Sequence, residues 1–391
     1  MAPMIPYWRL SGYYFFYFAF IGAFSPYFSL YLQSIGSTAA QIAVLMSLMS
    51  VMRMLAPTLW GWLADRLGVR TPIVRLSALL SVGGFTGFLV SDAYGALFIS
   101  MAFLAFFWSA ALPLVETLTF AHLHDEAERY GNIRVWGSVG FILAVLGLGY
   151  LLDALPVRTV LWVSLATLGG ILCFALVIPE ARKPPDPEAH VALGEILRRP
   201  EVRALLAACF FMSAAHGALY VFYSLHLVAH GYSKSLVGWM WALGVVAEIV
   251  VFMAMPSLLK VWSLRRILIF SFAATVLRFV LIGWGAEWLV VLLFAQVLHG
   301  ATFGAYHAAA VAAVNGWFGT RHQARGQALY GSISFGAGGM IGGLISGYTW
   351  EWVGPEWTYT IGSLFALIGL LVLVGGWRVR DEGGVVSNIN G

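Results

Sequence analysis

Charge is scarce in this chain of 391 residues: Asp, Glu, Lys and Arg together make up 10% of it, where soluble domains carry about a quarter. With 60% hydrophobic residues and a mean hydropathy of +0.84, a water-soluble globular fold is excluded and an integral membrane protein is expected. Cysteine is scarcer still. Cys173 and Cys209 both fall in apolar runs, which leaves no disulfide framework and no metal site, and reads both as small buried hydrophobes. The apolar runs contain no G-x-S-x-G, no H-E-x-x-H and no clustered Asp and His pair, so an intramembrane enzyme lacks its nucleophile or metal set. The glycine-rich "SFGAGGMIGGLISG" lacks the P-loop lysine and follows no strand pattern, which argues against nucleotide binding. No cofactor is expected.

What the chain does have is long hydrophobic runs. A bilayer core of about 30 Å needs about 20 helical residues, and twelve such runs occur, at 10–32, 39–63, 72–91, 94–121, 132–153, 157–179, 203–230, 234–258, 264–286, 288–314, 325–350 and 356–378. Their apolar stretches are continuous, not alternating, which excludes a β-barrel. The first run is too long for a signal-peptide core and has no clear cleavage site, so it reads as a spanning helix. One connection alone is long, "EARKPPDPEAHVALGEILRRPEVR" at 180–203, with a short amphipathic helix expected near Leu193–Leu197. It divides the chain into a first six-helix bundle (1–179), a central loop (180–202) and a second six-helix bundle (203–391).

Orientation follows from the Lys and Arg bias of short loops. With the N-terminus cytoplasmic, sixteen basic residues fall on that side, against only Arg158 and Lys234 on the other. Both termini and the central loop are therefore expected to face the cytoplasm. The net charge of +4 is a topology signal and implies no nucleic-acid partner. Weak internal symmetry accompanies the six-and-six division: Pro57 and Pro256 each precede a short basic loop and each has an intramembrane charge upstream, Arg53 and Glu248.

Between the second and third runs stands "GWLADRLGVR", residues 61–70. Gly61 permits close helix approach and Gly68 a tight turn, and Asp65 at a membrane boundary can accept hydrogen bonds from a helix N-terminus, for which the eleventh run is the candidate. This loop, in a twelve-run chain, resembles the G-x-L-x-D-R-x-G-x-R motif of the major facilitator superfamily. The resemblance implies an all-α membrane protein with two six-helix bundles around a central cavity, each bundle built from inverted three-helix repeats. It also implies a conformational latch at Asp65, supported by Arg66 and Arg70.

Charges inside the runs need partners, because an ionised group at the bilayer centre costs at least ~3 kcal/mol. Glu116 interrupts "SAALPLVETLTFAHL", and Arg134 opens the next run in "RYGNIRVWGSVGF". Antiparallel helices would bring the two to similar depth. Their spacing, followed by Trp136 and Gly137, resembles the sugar-binding glutamate and arginine of the lactose permease branch. Glu248, Arg278 and His299 resemble the intramembrane glutamate, arginine and histidine that couple protons there. One departure stands out: three residues after the histidine, where that branch has its main proton-carrying glutamate, this chain has Thr302. Proton coupling would then run through Glu248, or failing that Glu116, since a carboxylate shielded from water takes up a proton when a neighbouring arginine moves away. A structural ion pair fixing helix register is the simpler alternative for each.

Arg53, Arg134 and Arg278 against Glu116 and Glu248 leave one surplus positive charge, which suits a carboxylate solute. Tyr13, Tyr17, Phe20 and Phe24 share one face of the first run, and His216, Tyr220 and Tyr223 one face of the seventh. A core stripe explains the first set equally well, whereas lipid would strand the His216 nitrogens. His307 extends the same lining from His299. Gly338, Gly339, Gly342, Gly343 and Gly347 form small-xxx-small steps that let helix backbones approach.

The N-terminal run, the 116–134 region and "LHGATFGAYHAAAV" look like the phenylpropionic acid permease group of this superfamily, related to the lactose permease and nucleoside symporter branch. That resemblance implies a bacterial inner-membrane symporter of protons with a small aromatic carboxylate, and a monomer is the default. Substrate-contacting residues are then Arg134, Glu116, Arg53, Tyr13, Tyr17, His216, Tyr220, Tyr223 and His307, and proton coupling falls to Glu248, Arg278 and His299. Symport of an uncharged oligosaccharide or nucleoside, export of a metabolite or drug, and a passive channel are the competing readings.

Overall fold

The computed structural model describes residues 5–123, 126–181 and 193–377, apart from the side chains of residues 127, 193, 320, 321 and 324. The central connection at 182–192, the basic residues Arg182, Lys183, Arg378 and Arg380, and the Arg321 side chain thus lie outside the described residues.

Among the described residues, twelve helices are long and apolar enough to cross a membrane: Tyr7–Ser34, Ala39–Leu67, Thr71–Val90, Tyr94–Leu123, Tyr130–Ala154, Thr159–Val177, Pro200–Ala229, Lys234–Leu258, Leu264–Trp284, Leu289–Gly319, Arg325–Trp352 and Pro355–Gly376. They are called the first to twelfth helices below. No strand occurs among the described residues. A short helix, Leu193–Arg198, stands where the amphipathic one is expected. Local chemistry sets several ends. Thr38 and Gln41 form a reciprocal capping box at the second helix, with the Thr38 hydroxyl accepting from Gln41 N at 3.2 Å and the Gln41 side chain accepting from Thr38 N at 3.0 Å. At the other end Gly68, at φ +68°, closes the helix in the left-handed conformation that glycine adopts without strain.

Packing sorts the chain into two compact units, Met1–Asp186 with Val221–Ala242, and Pro187–Tyr220 with Leu243–Gly391. Division at the central connection and division by packing differ over residues 221–242. The cause is a set of contacts at the turn between the seventh and eighth helices. Asp153, at the end of the fifth helix, accepts from Lys234 N at 2.8 Å and Ser235 N at 3.2 Å. Tyr27 donates its hydroxyl to Val145 O at 2.8 Å and lies 3.1 Å from Lys234 O.

In the first unit the first helix packs on the fifth and sixth, the second on the fourth, and the third on the fourth and sixth. Glycine makes the tightest crossing possible. A Cβ at Gly22 would stand 2.5 Å from Phe141 O, and one at Gly140 would collide with the Phe15 carbonyl, so the first and fifth helices touch backbone to backbone. In the second unit the seventh and ninth helices pack on the twelfth, and the eleventh lies on the seventh. There Gly338 faces the Phe210 carbonyl and Gly342 the Ala214 backbone, two of the small-residue steps read from the sequence.

Regular winding is interrupted within several helices of the second unit. The seventh helix is interrupted at His216, between Pro200–Ala215 and Gly217–Ala229. The tenth widens to π-helical winding at Gly300–Ala305 and the eleventh at Ser332–Gly338, a departure that helices concentrate at functional positions.

Candidate functional site

The fourth helix carries Glu116 and the fifth carries Arg134, both half-buried. Tyr130, at the start of the fifth helix, donates its hydroxyl to Glu116 Oε1 at 3.3 Å. Arg134 takes a different neighbour: its guanidinium lies 3.9 Å from the centre of the Phe18 ring and 5.9 Å from that of Tyr14. No ion pair within 4.0 Å joins Glu116 to Arg134, although the Arg134 charge acts on the carboxylate. The direct pairing expected from the antiparallel helices is thus replaced by a phenol on one side and an aromatic face on the other.

The first-helix aromatics face inward. Tyr13, Tyr17, Phe20 and Phe24 are all buried. Phe20 and Phe24 pack on Phe85 of the third helix, as a core stripe would. Tyr17 lies flat on Trp108, with centroids 4.6 Å apart and planes within 7°, and Tyr13 stacks on Tyr17 at 6.2 Å. The Tyr13 hydroxyl and Trp108 Nε1 have no hydrogen-bond partner among the described residues. Arg53 is exposed and stands 5.8 Å over the Trp108 ring. Tyr17 and Trp108 therefore link the aromatic column to an arginine.

The second unit holds the other intramembrane charges. Glu248 Oε1 of the eighth helix is 2.7 Å from His299 Nε2 of the tenth. Arg278 of the ninth helix is fully buried and donates from Nε to Ala295 O at 2.8 Å, from Nη1 to Thr302 Oγ1 at 3.2 Å and from Nη2 to Gln296 Oε1 at 2.7 Å. Thr302, the departure from the lactose permease pattern, is one of these acceptors.

Histidine and aromatic rings cluster around His299 within the second unit. His216 stacks on Tyr220 at 6.0 Å and approaches His299 at 6.5 Å, while Nδ1 bonds Met212 O at 2.8 Å. His216 Nε2 and His299 Nδ1 are buried without a partner among the described residues. Along the tenth helix His299, Phe303 and His307 stack one above the next at 5.6 and 5.8 Å, and His307 Nδ1 is 2.9 Å from the Tyr330 hydroxyl. Tyr223 belongs to the 221–242 segment and packs edge-on to Trp241 at 5.6 Å.

At the motif loop Asp65 is 74% exposed and pairs with Arg70 Nη2 at 2.9 Å. Arg66 lies 5.4 Å over Trp62. Around a Cβ on Gly61 there is open space within 4 Å. Glu180, just beyond the sixth helix, accepts from Arg70 N at 3.0 Å and Thr71 N at 2.8 Å, so a carboxylate caps the positive end of the third helix. Arg70 is thereby held at its backbone by Glu180 while its side chain holds Asp65.

Glu180, Tyr130, Trp108 and Gln296 escape a reading of the sequence. Gln296 alone offers a signal, as an amide in the apolar "FAQVLHG" three residues before His299. Among the described residues, no group of three or more His, Cys, Asp or Glu side chains is placed to hold a metal ion.

A sequence model described as the MFS_1 like family matches residues 7–361. The chain is 29% identical over 373 residues to a "Probable 3-phenylpropionic acid transporter" of Escherichia coli (strain K12), covering 92% of this chain and 96% of that one. It is 27% identical over 370 residues to a maltose permease of Geobacillus stearothermophilus, covering 93% and 92%. Among solved structures, a mutant of the nucleoside transporter NupG superposes with a TM-score of 0.84 at 16% identity, covering 95% and 99%; this is a likeness of fold.

Proposed function

The chain belongs to the MFS_1 like family of major facilitator transporters and is a secondary transporter, not an enzyme, and on that premise we propose that it imports a small aromatic carboxylate with a proton. The observation that carries this reading is the pairing of guanidinium groups with aromatic faces in the first unit: Arg134 over Phe18 and Arg53 over Trp108. A planar guanidinium binds two carboxylate oxygens at once and also stacks on flat rings. Arginines set in an aromatic wall therefore answer both ends of an aromatic acid. Similarity to a transporter named for 3-phenylpropionic acid supports the same class.

The proton falls to the second unit. Glu248 and His299 share a 2.7 Å contact, and one proton between a carboxylate and an imidazole can be given up or taken up as its surroundings change. Protonating Glu248 removes one negative charge from the intramembrane set, which favours carriage of an anion. The same reading sets a monomer in a bacterial inner membrane, with cytoplasmic termini supported by the Lys and Arg bias.

Proteoliposomes test it. Labelled 3-phenylpropionate should accumulate when the outside is acidic, and Glu248→Gln should abolish that accumulation while sparing exchange across equal pH. Equal accumulation by variant and parent removes Glu248 from coupling. A second reading, an uncharged polyol or nucleoside as solute, draws support from Glu116, which is held by Tyr130 and not by Arg134 and so keeps an acceptor for hydroxyls. Competition by maltose or uridine, with none by phenylpropionate, would establish that reading instead.

A further inference from the structure

Tyr130 opens the fifth helix in "RYGNIRVWG", four residues before Arg134, so the two side chains stand one turn apart on one face of the same helix. Phe120 stands in the same relation to Glu116 on the fourth helix. The Tyr130 ring stacks on Phe120, with centroids 4.7 Å apart and planes 20° apart, and meets Tyr14 of the first helix edge-on at 6.4 Å. Rings from two other helices thus orient the phenol. Its hydroxyl reaches Glu116 Oε1 at 3.3 Å. The second phenol at this corner is engaged elsewhere: the Tyr14 hydroxyl lies 3.3 Å from Thr119 Oγ1.

That placement matters because Arg134 shares the corner. Its guanidinium lies over Phe18 at 3.9 Å and 5.9 Å from the Tyr14 ring, and its charge acts on the Glu116 carboxylate. Two opposite charges so near one another, both half-buried, would ordinarily close into a forked pair. Glu116 and Arg134 do not come within 4.0 Å. Had they done so, the side-chain carboxylate would occupy the same N–H groups that a solute carboxylate needs.

We propose that Tyr130 is a positioning residue that sets solute class: its hydroxyl holds Glu116 away from Arg134 and so keeps the guanidinium fork open for a carboxylate. Without that hydroxyl Glu116 closes on Arg134, and an incoming acid must displace one carboxylate before it can bind as another. Tyr130 acts through Glu116 and need not touch the solute. This deepens the aromatic-acid reading and rests on it.

The test is exchange of labelled 3-phenylpropionate in proteoliposomes at equal pH, which reads solute binding apart from any proton gradient. KM and kcat are measured for the parent, Tyr130→Phe, Glu116→Gln and the double variant, with thermal melting in detergent to check folding. Tyr130→Phe keeps the ring and its stack on Phe120, and should raise KM about tenfold with kcat within about twofold of the parent. In the Glu116→Gln background, whatever that substitution does alone, the same change should alter KM by less than about twofold, because a neutral amide forms no ion pair with Arg134. If Tyr130→Phe melts far below the parent, Phe120→Ala withdraws the ring on which the phenol rests, and must raise KM in the parent background and leave it unchanged in the Glu116→Gln background. An equal rise in both backgrounds would mean that the phenol acts without Glu116, and it overturns the positioning role, as does a KM that moves in neither. A parent that exchanges no 3-phenylpropionate overturns the aromatic-acid reading and this inference with it.

Discussion

Among the described residues, several intramembrane charges meet neutral groups a few ångströms away. Tyr130 serves Glu116, Phe18 and Tyr14 serve Arg134, and Gln296 and Thr302 serve Arg278. The arrangement at Arg134 yields a sharp expectation. Lysine keeps the charge but loses the planar fork and the flat contact with Phe18. Arg134→Lys should raise the KM for 3-phenylpropionate uptake at least about tenfold, the loss of roughly 1.4 kcal/mol of binding, with a melting temperature close to the parent. An unchanged KM would take Arg134 out of the anion site. The charges themselves were legible in the sequence because each breaks an apolar run. Their partners were less so: a tyrosine at a helix start leaves little mark on hydropathy, and the Gln296 amide marks the tenth run without naming what it meets. Glu248 and His299 are the exception, a pair whose two members both stood out and which the fold brings to 2.7 Å.

Helices in lipid gain little from burying apolar surface against one another, so close backbone packing decides where they cross. The twelve spans were readable to within a few residues because bilayer thickness dictates their length. Where they cross was readable only in part. The eleventh-helix glycines announced themselves as a repeated small-xxx-small pattern, and Gly338 and Gly342 do meet the seventh helix. Gly22 carries no such pattern and Gly140 only a single step to Ala144, yet the two make a close backbone crossing in the first unit. Glycines that look alike should therefore respond differently. Gly22→Ala would drive a methyl to 2.5 Å from Phe141 O and force the first and fifth helices apart, at a cost of about 1–3 kcal/mol. Gly147→Ala, on the same fifth helix with open space around its Cβ, should be neutral or stabilise by about 0.5–1 kcal/mol through helix propensity. Thermal melting in one detergent compares them, and equal shifts would contradict the crossing. The π-helical stretches were illegible for another reason: hydropathy and helix propensity do not distinguish one extra residue per turn from regular α winding.

For the molecule as a whole, the informative segment is 221–242, which the chain order assigns to the second half and packing assigns to the first unit. Polar contacts at close backbone approach help to hold it. Besides the Asp153 and Tyr27 contacts, Trp239 donates to the Tyr150 hydroxyl at 3.0 Å, and Gly149 and Gly238 leave room for the Tyr27 oxygen, each Cβ site lying 2.6 and 2.8 Å from it. A transporter that exposes its solute first to one side of the membrane and then to the other needs contacts that can be released, and hydrogen bonds to a helix N-terminus suit that need better than a broad apolar interface. Asp153 is the member whose loss is easiest to read. Asp153→Ala leaves the Lys234 and Ser235 amides without their carboxylate, at the positive end of the eighth helix. Hydrogen exchange should then quicken about tenfold or more across residues 221–242, equivalent to about 1.4 kcal/mol of lost protection, while the third and fourth helices exchange as in the parent. Quickening spread evenly over all helices would mean that Asp153 supports the whole fold, and no change at all would mean that the glycine contacts alone retain the segment.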